Sequence, residues 1–393
     1  MGWQRLWTSG RCEETGTDVQ SAPMCCADAN SEQETRSVLV VLPTWVGDFV
    51  MATPILQVIR KRFANARITF LAEPNLRELI RGGDWMDECV EWPVKERRKP
   101  WHKEQRTLAA KLRGHRFDLA ILLPNSARAA LIAFMARAKR RIGYDRDGRG
   151  LLLTDRVPVK NVAKGKFVPM PLVEYYADLA EAIGCERPGD RLELFTTPDC
   201  EESVSKRLLS LGVADRHPLI VLSPGAKYGA AKCWFPERFA AVADRLIEEC
   251  AATVVVTCGP GEESIARTIS SAMKQKGLVF DDPLLTLGEL KSLIAGSDLL
   301  ICNDAGPRHF AKAFDVPVVT VFGPTHPEWT ATSYEAERIV SVDVDCGPCQ
   351  QRVCPLKHLD CMGGVSVEMV YDAAVELLKS SLNATGADDN RHA

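Results

Sequence analysis

The chain has 393 residues, 46% apolar and 26% charged, with 14 cysteines and a formal net charge of −3. Such a composition describes a soluble globular protein, the length favours two domains over one, and no apolar run approaches the roughly 20 residues that a membrane-spanning helix requires. The charge is unevenly placed: residues 37–190 hold 27 Lys and Arg against 18 Asp and Glu, so the N-terminal half is basic and suits an anionic partner, whether nucleic acid, a membrane surface or a phosphorylated substrate.

Residues 1–36 are rich in Ser, Thr, Glu, Asp and Cys without hydrophobic periodicity and are expected to form a disordered extension. They carry no continuous apolar core of signal-peptide type, which predicts a cytoplasmic protein. Ser37 to Pro43 is a short β-branched run suited to a central parallel strand, and it ends in Thr44-Trp45-Val46-Gly47-Asp48. Apolar residues from Phe49 to Phe63 predict one helix after this turn, and Ile68 to Ala72 a second strand. The turn has one glycine where a dinucleotide fingerprint needs three. Gly47 would let backbone come close to a ligand. Asp48 stands at the C-terminal edge of the first strand, where open α/β sheets bind substrates, and is either a carboxylate able to take a proton or a helix cap. The basic segment from Lys95 to Arg116, with Trp92, Trp101 and His102 interleaved, is either an amphipathic contact for an anionic bilayer or an exposed connector. Phe117 to Leu123 predicts a further strand, 127–138 a helix, and Pro169 to Gly184 a helix bridging two halves.

In the second half, Pro218 to Leu222 opens a new sheet and runs into Ser223-Pro224-Gly225-Ala226, followed by Lys227 to Pro236 and a helix over Glu237 to Cys250. Small residues before Lys232 at the mouth of a strand suit a diphosphate, with the lysine as a point charge. The Walker A ending is missing, so nucleotide hydrolysis is not implied. Thr253 to Thr257 is the next strand, and at its exit Glu262 and Glu263 either accept hydrogen bonds from a ribose or simply favour a helix N-terminus. From Ser297 to Thr325 the pattern is strand, tight turn, helix, strand. Its turn, Asp304-Ala305-Gly306, opens a helix whose unpaired N–H groups make a ready phosphate site, unless Asp304 is an ordinary N-cap. Two α/β halves that each begin with a strand and a polar turn predict two Rossmann-like domains facing a cleft.

Four ordered motifs, WVGDFVMATP, LLPNSARAAL, SPGAKYGAAKCWFP and NDAGPRHFAKAF followed by FGPTHPEWT, resemble the lipopolysaccharide heptosyltransferases of glycosyltransferase family nine, closest to their heptosyltransferase II branch. The likeness covers roughly Ser37 to Leu378. It implies the GT-B fold, with an N-terminal acceptor domain over 37–190, a C-terminal ADP-heptose domain over 191–378 and a disordered tail over 379–393. It implies transfer of L-glycero-D-manno-heptose from ADP-heptose to the heptosyl-Kdo inner core of lipid A, with inversion, at the inner face of an anionic membrane. Carried over by position, Asp48 matches the general base and Lys232 the lysine on the donor diphosphate. The residue near the ribose falls on Glu262 or Glu263, and the spacing leaves both open. Asp304, Gly306 and His309 match D-[ST]-G-x-x-H, which contacts diphosphate and heptose. Ala305 departs from that motif, and the missing hydroxyl removes one hydrogen bond to phosphate at a cost of about 1 kcal/mol.

Cys346, Cys349, Cys354 and Cys361, with His358 among them, have the spacing C-x2-C-x4-C-x6-C. In a cytosolic chain this suits a structural zinc site, with an iron–sulfur cluster, reduced thiols and disulfides as the other readings. Catalysis itself requires no cofactor here, because lysine and helix N–H groups can neutralise a leaving diphosphate. The competing readings are a relative with another sugar donor or acceptor, and a non-catalytic sugar-nucleotide-binding protein. No DNA-binding or RNA-binding motif supports a nucleic-acid partner.

Overall fold

The computed structural model describes residues 35–92, 103–160, 162–163, 166–213 and 218–389. The expected N-terminal extension up to residue 34 and the basic residues Lys95 to His102 lie outside that set. Short runs rich in Val, Ile and Leu form a first sheet of six parallel strands: β1 (Ser37–Val41), β2 (Arg67–Ala72), β3 (Glu88–Glu91), β4 (Leu119–Leu122), β5 (Arg140–Tyr144) and β6 (Asp155–Val157). Their spatial order is β3-β2-β1-β4-β5-β6. A small antiparallel pair, β7 (Val162–Ala163) and β8 (Lys166–Phe167), follows.

The second sheet repeats the plan with β9 (Leu219–Ser223), β10 (Thr253–Thr257), β11 (Leu278–Phe280), β12 (Leu299–Asn303), β13 (Val318–Val321) and β14 (Glu337–Val340), in the order β11-β10-β9-β12-β13-β14. This is the GT-B arrangement. Each sheet reverses direction of winding once, between β1 and β4 and between β9 and β12, and a parallel sheet leaves its binding crevice at the carboxyl ends of strands flanking such a point.

Helices cover both faces of each sheet, so the central strands are buried along their whole length; every residue of β4, β9 and β12 is buried. The inner core is continuous between the two halves, joining Val40, Phe49 and Ile55 of the first to Leu300, Phe310 and Val318 of the second. Separate clusters close the outer faces. Helix Lys103–Arg113 belongs to one of them: Leu108, Ala109 and Leu112 turn inward beside Trp92, and Arg106, Lys111 and Arg113 stay exposed. The described part of the basic segment thus turns its large apolar side chains to the sheet and its basic ones outward.

Several elements differ from the sequence reading. The single helix expected from Phe49 to Phe63 is two, Val46–Met51 and Thr53–Arg62, because Pro54 has no N–H and Thr53 Oγ1 donates to Val50 O at 2.7 Å across the break. The bridging helix is Leu172–Ile183, stopped by Gly184 in the left-handed region (φ 84). A strap then lies along the first half, where Glu193 N donates to Thr53 Oγ1 (3.0 Å) and Glu193 Oε2 accepts from Trp85 Nε1 (3.1 Å). Helix Pro198–Ser210, which the sequence reading left out, begins after Thr197 with Pro198, Asp199 and Glu201 in its first turn. The tail expected to be disordered from residue 379 continues helix Val367–Asp389; Glu376 O accepts from Ser380 Oγ at 2.9 Å, and neither proline nor glycine interrupts the run before Gly386.

Candidate functional site

The carboxyl ends of β1 and β12 bring two turns face to face. A β-carbon at Gly306 would lie 2.8 Å from Val46 Cγ1, and one at Gly47 would lie 3.1 Å from His309 Cδ2. Glycine at these two positions is what allows the turns of opposite domains to touch.

Asp48 is the third residue of helix Val46–Met51, whose N-cap is Trp45 without a side-chain cap bond. It is therefore not a capping carboxylate. Removal from solvent raises its pKa to about 7, against the attraction of the Lys232 ammonium from across the cleft. A carboxylate tuned to that value exchanges a proton readily near neutrality, as a general base must.

Asp304 is not a cap either. The N-cap of helix Gly306–Ala313 is Ala305, in extended backbone (φ −144°, ψ 176°) and without a side-chain bond. The hydroxyl that Ala305 lacks is therefore a helix-capping group as well as a candidate phosphate donor. The Asp304 carboxylate is buried and accepts from Lys232 Nζ and from Thr325 Oγ1 (2.7 Å), while Arg308 Nη1 lies 3.7 Å away. Burial alone would raise its pKa; Lys232 and Arg308 with the bonds from Lys232 and Thr325 outweigh this and hold it below the usual carboxylate range. An ionised Asp304 would repel a phosphate. Its role in this arrangement is to fix Lys232, which also reaches Asp304 O (3.3 Å) and lies 4.6 Å over the Tyr228 ring. That pinned ammonium still has one N–H to offer an anion in the cleft.

His309 is buried against Gly47. Burial, followed by the charges of Arg308, Lys312 and Lys232, drives its pKa well below the ordinary histidine value, so the imidazole is neutral, and its Nδ1 has no hydrogen-bond partner among the described residues. Asn303 ties the turns of the second half together: its Nδ2 donates to Pro224 O (2.5 Å) and its Oδ1 accepts from Trp234 N (3.1 Å).

The two glutamates separate. A β-carbon at Gly225 would lie 1.9 Å from Glu262 Oε2, so the Glu262 side chain rests directly on the glycine of the β9 turn, and its Oε2 accepts from Gly259 N at 3.0 Å. Glu263 instead opens helix Glu263–Ala272, where backbone N–H groups of Glu263 and Gly261 hold its carboxyl low. Of the two, Glu262 is the one that packs on the loop carrying Lys232.

The four cysteines expected to hold zinc lie in the stretch between β14 and the helix Val367–Asp389. Cys346, Cys349, Cys354 and Cys361 are free thiols, Cys346 Sγ is 3.9 Å from His358 Nε2, and among the described residues no three His, Cys, Asp or Glu side chains stand where they could hold one metal ion. The polar contacts of their loop run to the turns after β9 and β13, with Gln350 N donating to Pro324 O (2.7 Å) and Ala231 N to Arg352 O (3.0 Å).

Sequence reasoning missed a buried ionic layer beneath the Asp304 turn. Arg308 Nη2 donates to Glu337 Oε2 (2.9 Å), Thr320 Oγ1 to Glu337 Oε1 (2.9 Å), and Lys312 Nζ lies 2.7 Å from Glu337 Oε2. The available signal was Arg308 and Lys312 four residues apart on an otherwise apolar helix; their partner on β14 is far away in sequence.

The profile of glycosyltransferase family 9 (heptosyltransferase) matches residues 105–360. The lipopolysaccharide heptosyltransferase 2 of Salmonella typhimurium is 30% identical over 312 residues, spanning 77% of this chain and 87% of that protein. Among solved structures, a family 9 glycosyl transferase from Veillonella parvula superposes with a TM-score of 0.75 at 21% identity, over 89% of this chain and 99% of that one. The Escherichia coli ADP-heptose lipopolysaccharide heptosyltransferase II does so with 0.70 at 23%, over 88% and 99%.

Proposed function

The chain belongs to glycosyltransferase family 9 and is a glycosyltransferase, and from that membership and the cleft we propose that it moves a heptose from ADP-heptose to the heptosyl-Kdo inner core of a lipopolysaccharide, inverting the anomeric centre. The acceptor hydroxyl oxygen bonds to the anomeric carbon on the face opposite the diphosphate. The bond from that carbon to the diphosphate oxygen breaks with its electron pair, and the hydroxyl proton passes to Asp48. Lys232 and the opening N–H groups of helix Gly306–Ala313 take up the charge that develops on ADP. Glu262 accepts from the ribose hydroxyls. No step is routed through a metal.

The observation that carries this reading is Asp48: a carboxyl with a pKa near 7, on the first domain, opposite the lysine of the second. Base and leaving-group stabiliser thus sit on opposite walls, as inversion demands. The exposed Arg106, Lys111 and Arg113 suit an acceptor that bears phosphates and carboxylates at the cytoplasmic face of a membrane; among the described residues no helix is long and apolar enough to cross one. Mass-spectrometric detection of heptose transfer from ADP-heptose to purified inner-core acceptor tests the proposal. Transfer only from a different sugar nucleotide, or only to a different acceptor, would replace it.

A further inference from the structure

The loop that carries the cysteine quartet closes over the Lys232 turn, and this contact is built in detail. Tyr228 OH donates to Gln350 O at 2.7 Å, and Ala231 N donates to Arg352 O at 3.0 Å. Gly229 has no room for a side chain, since a β-carbon there would lie 2.3 Å from Arg352 O. The Tyr228 ring holds two cations at once: Lys232 Nζ is 4.6 Å from its centroid and Arg352 Cζ is 5.2 Å. Arg352 is thus seated at the mouth of the lysine turn.

Charge gives this placement a purpose. Lys232 is compensated by Asp304, and His309 is neutral, so those three groups together bring no net positive charge to a ligand that carries at least two negative ones. We propose that Arg352 is a further cation of the donor site, contacting the diphosphate from the side of the cysteine loop, and that Tyr228 is the positioning residue that sets Arg352 and Lys232 side by side. This rests on the reading of the Lys232 turn as the diphosphate site. A planar guanidinium presents two parallel N–H groups that match two oxygens of one phosphate, a fork that the single nitrogen of a lysine does not offer.

Calorimetric titration with ADP, at low and at high salt, tests it on the full chain. Arg352→Ala is expected to raise Kd for ADP about tenfold or more and to flatten its salt dependence. A melting curve for the variant checks that the fold survives, since the brace from Ala231 uses the backbone carbonyl of Arg352. Arg352→Lys should recover part of the loss. Tyr228→Leu should weaken ADP binding as well, and Tyr228→Phe, which keeps the ring under both cations, should weaken it less. An Arg352→Ala protein whose Kd for ADP stays within about twofold of wild type overturns the assignment of Arg352 alone. Wild-type protein that does not bind ADP overturns this proposal together with the donor reading on which it rests.

Discussion

Replacing Asp48 by Asn separates what the residue does in catalysis from what it does to the fold, because the two effects have opposite signs. Asn keeps the shape and hydrogen bonding of the side chain but cannot accept the acceptor proton, and general-base removal lowers the rate by about two to four orders of magnitude. For stability, the folded-state pKa near 7 lies above the ordinary aspartate value of 3.8. Between those values the folded protein binds more protons than the unfolded chain, so the stability of wild type falls as pH rises through that window and stays lowered above it. The difference is at most about 4 kcal/mol by pH 8, and smaller for a group that retains some solvent contact. Asp48→Asn never ionises and escapes this loss. The expected outcome is a protein that melts higher than wild type at pH 8, matches it near pH 4, binds ADP as well or better, and barely turns over. Steady-state kinetics with saturating acceptor, together with thermal melts across pH 4–9, read both effects. Wild-type log(kcat/KM) should climb with unit slope to about pH 7 and then level. A kcat for Asp48→Asn within a factor of about ten of wild type, or a melting temperature that falls at pH 8, would refute the assignment.

Lys232→Ala should weaken ADP binding by roughly 1.5–3 kcal/mol, measured by calorimetry, through loss of a charge-assisted contact; it should also lower stability by a further few kcal/mol, about 3 in comparable cases, because Asp304 is left buried with less of its compensating charge. Gly306→Ala drives a β-carbon to 2.8 Å from Val46 Cγ1, so the two turns must separate; KM for both substrates is expected to rise with kcat falling alongside, and unchanged kinetics would show that the turns do not touch during turnover. Ala305→Ser supplies the missing cap at a backbone already extended and should raise stability by about 0.5–2 kcal/mol with ADP affinity equal or tighter, read from denaturant melts and the same titration.

The sheets were legible because strands buried on both faces are continuous β-branched runs, and the turns because Gly47, Gly225 and Gly306 punctuate them. Asp48 and Lys232 could be placed at strand exits on that basis alone. Three of the features that were not legible show why. Which residue caps a helix depends on where the first turn closes, so Asp48 and Asp304 both looked like caps until Trp45 and Ala305 took that position. Glu262 and Glu263 are adjacent, and only the close packing of Glu262 on Gly225, 37 residues earlier in the chain, separates them. The spacing of four cysteines suggested a metal, and nothing in that spacing shows that the backbone of the same loop braces the Lys232 turn.

The buried charges beneath the cleft explain why so ionic a layer survives in an apolar interior. Lys232, Asp304, Arg308, Glu337 and Lys312 alternate in sign from the mouth of the site down to β14, with contacts of 3.7 Å between Arg308 and Asp304 and 2.7 Å between Lys312 and Glu337. As a source of stability the arrangement is poor, since desolvating charges offsets most of what their pairing returns. As a source of fixed field it is effective. Each charge is held by a neighbour, and the layer as a whole carries three cations against two anions; on the proposed reaction, little reorganisation is then needed when negative charge builds on a departing diphosphate. Packing Arg308 and Lys312 on the helix that begins at the Asp304 turn ties the orientation of its opening N–H groups to the same network. On the proposed reaction, the preference for a rigid ionic layer over an apolar one follows from what the cleft must do to a leaving group.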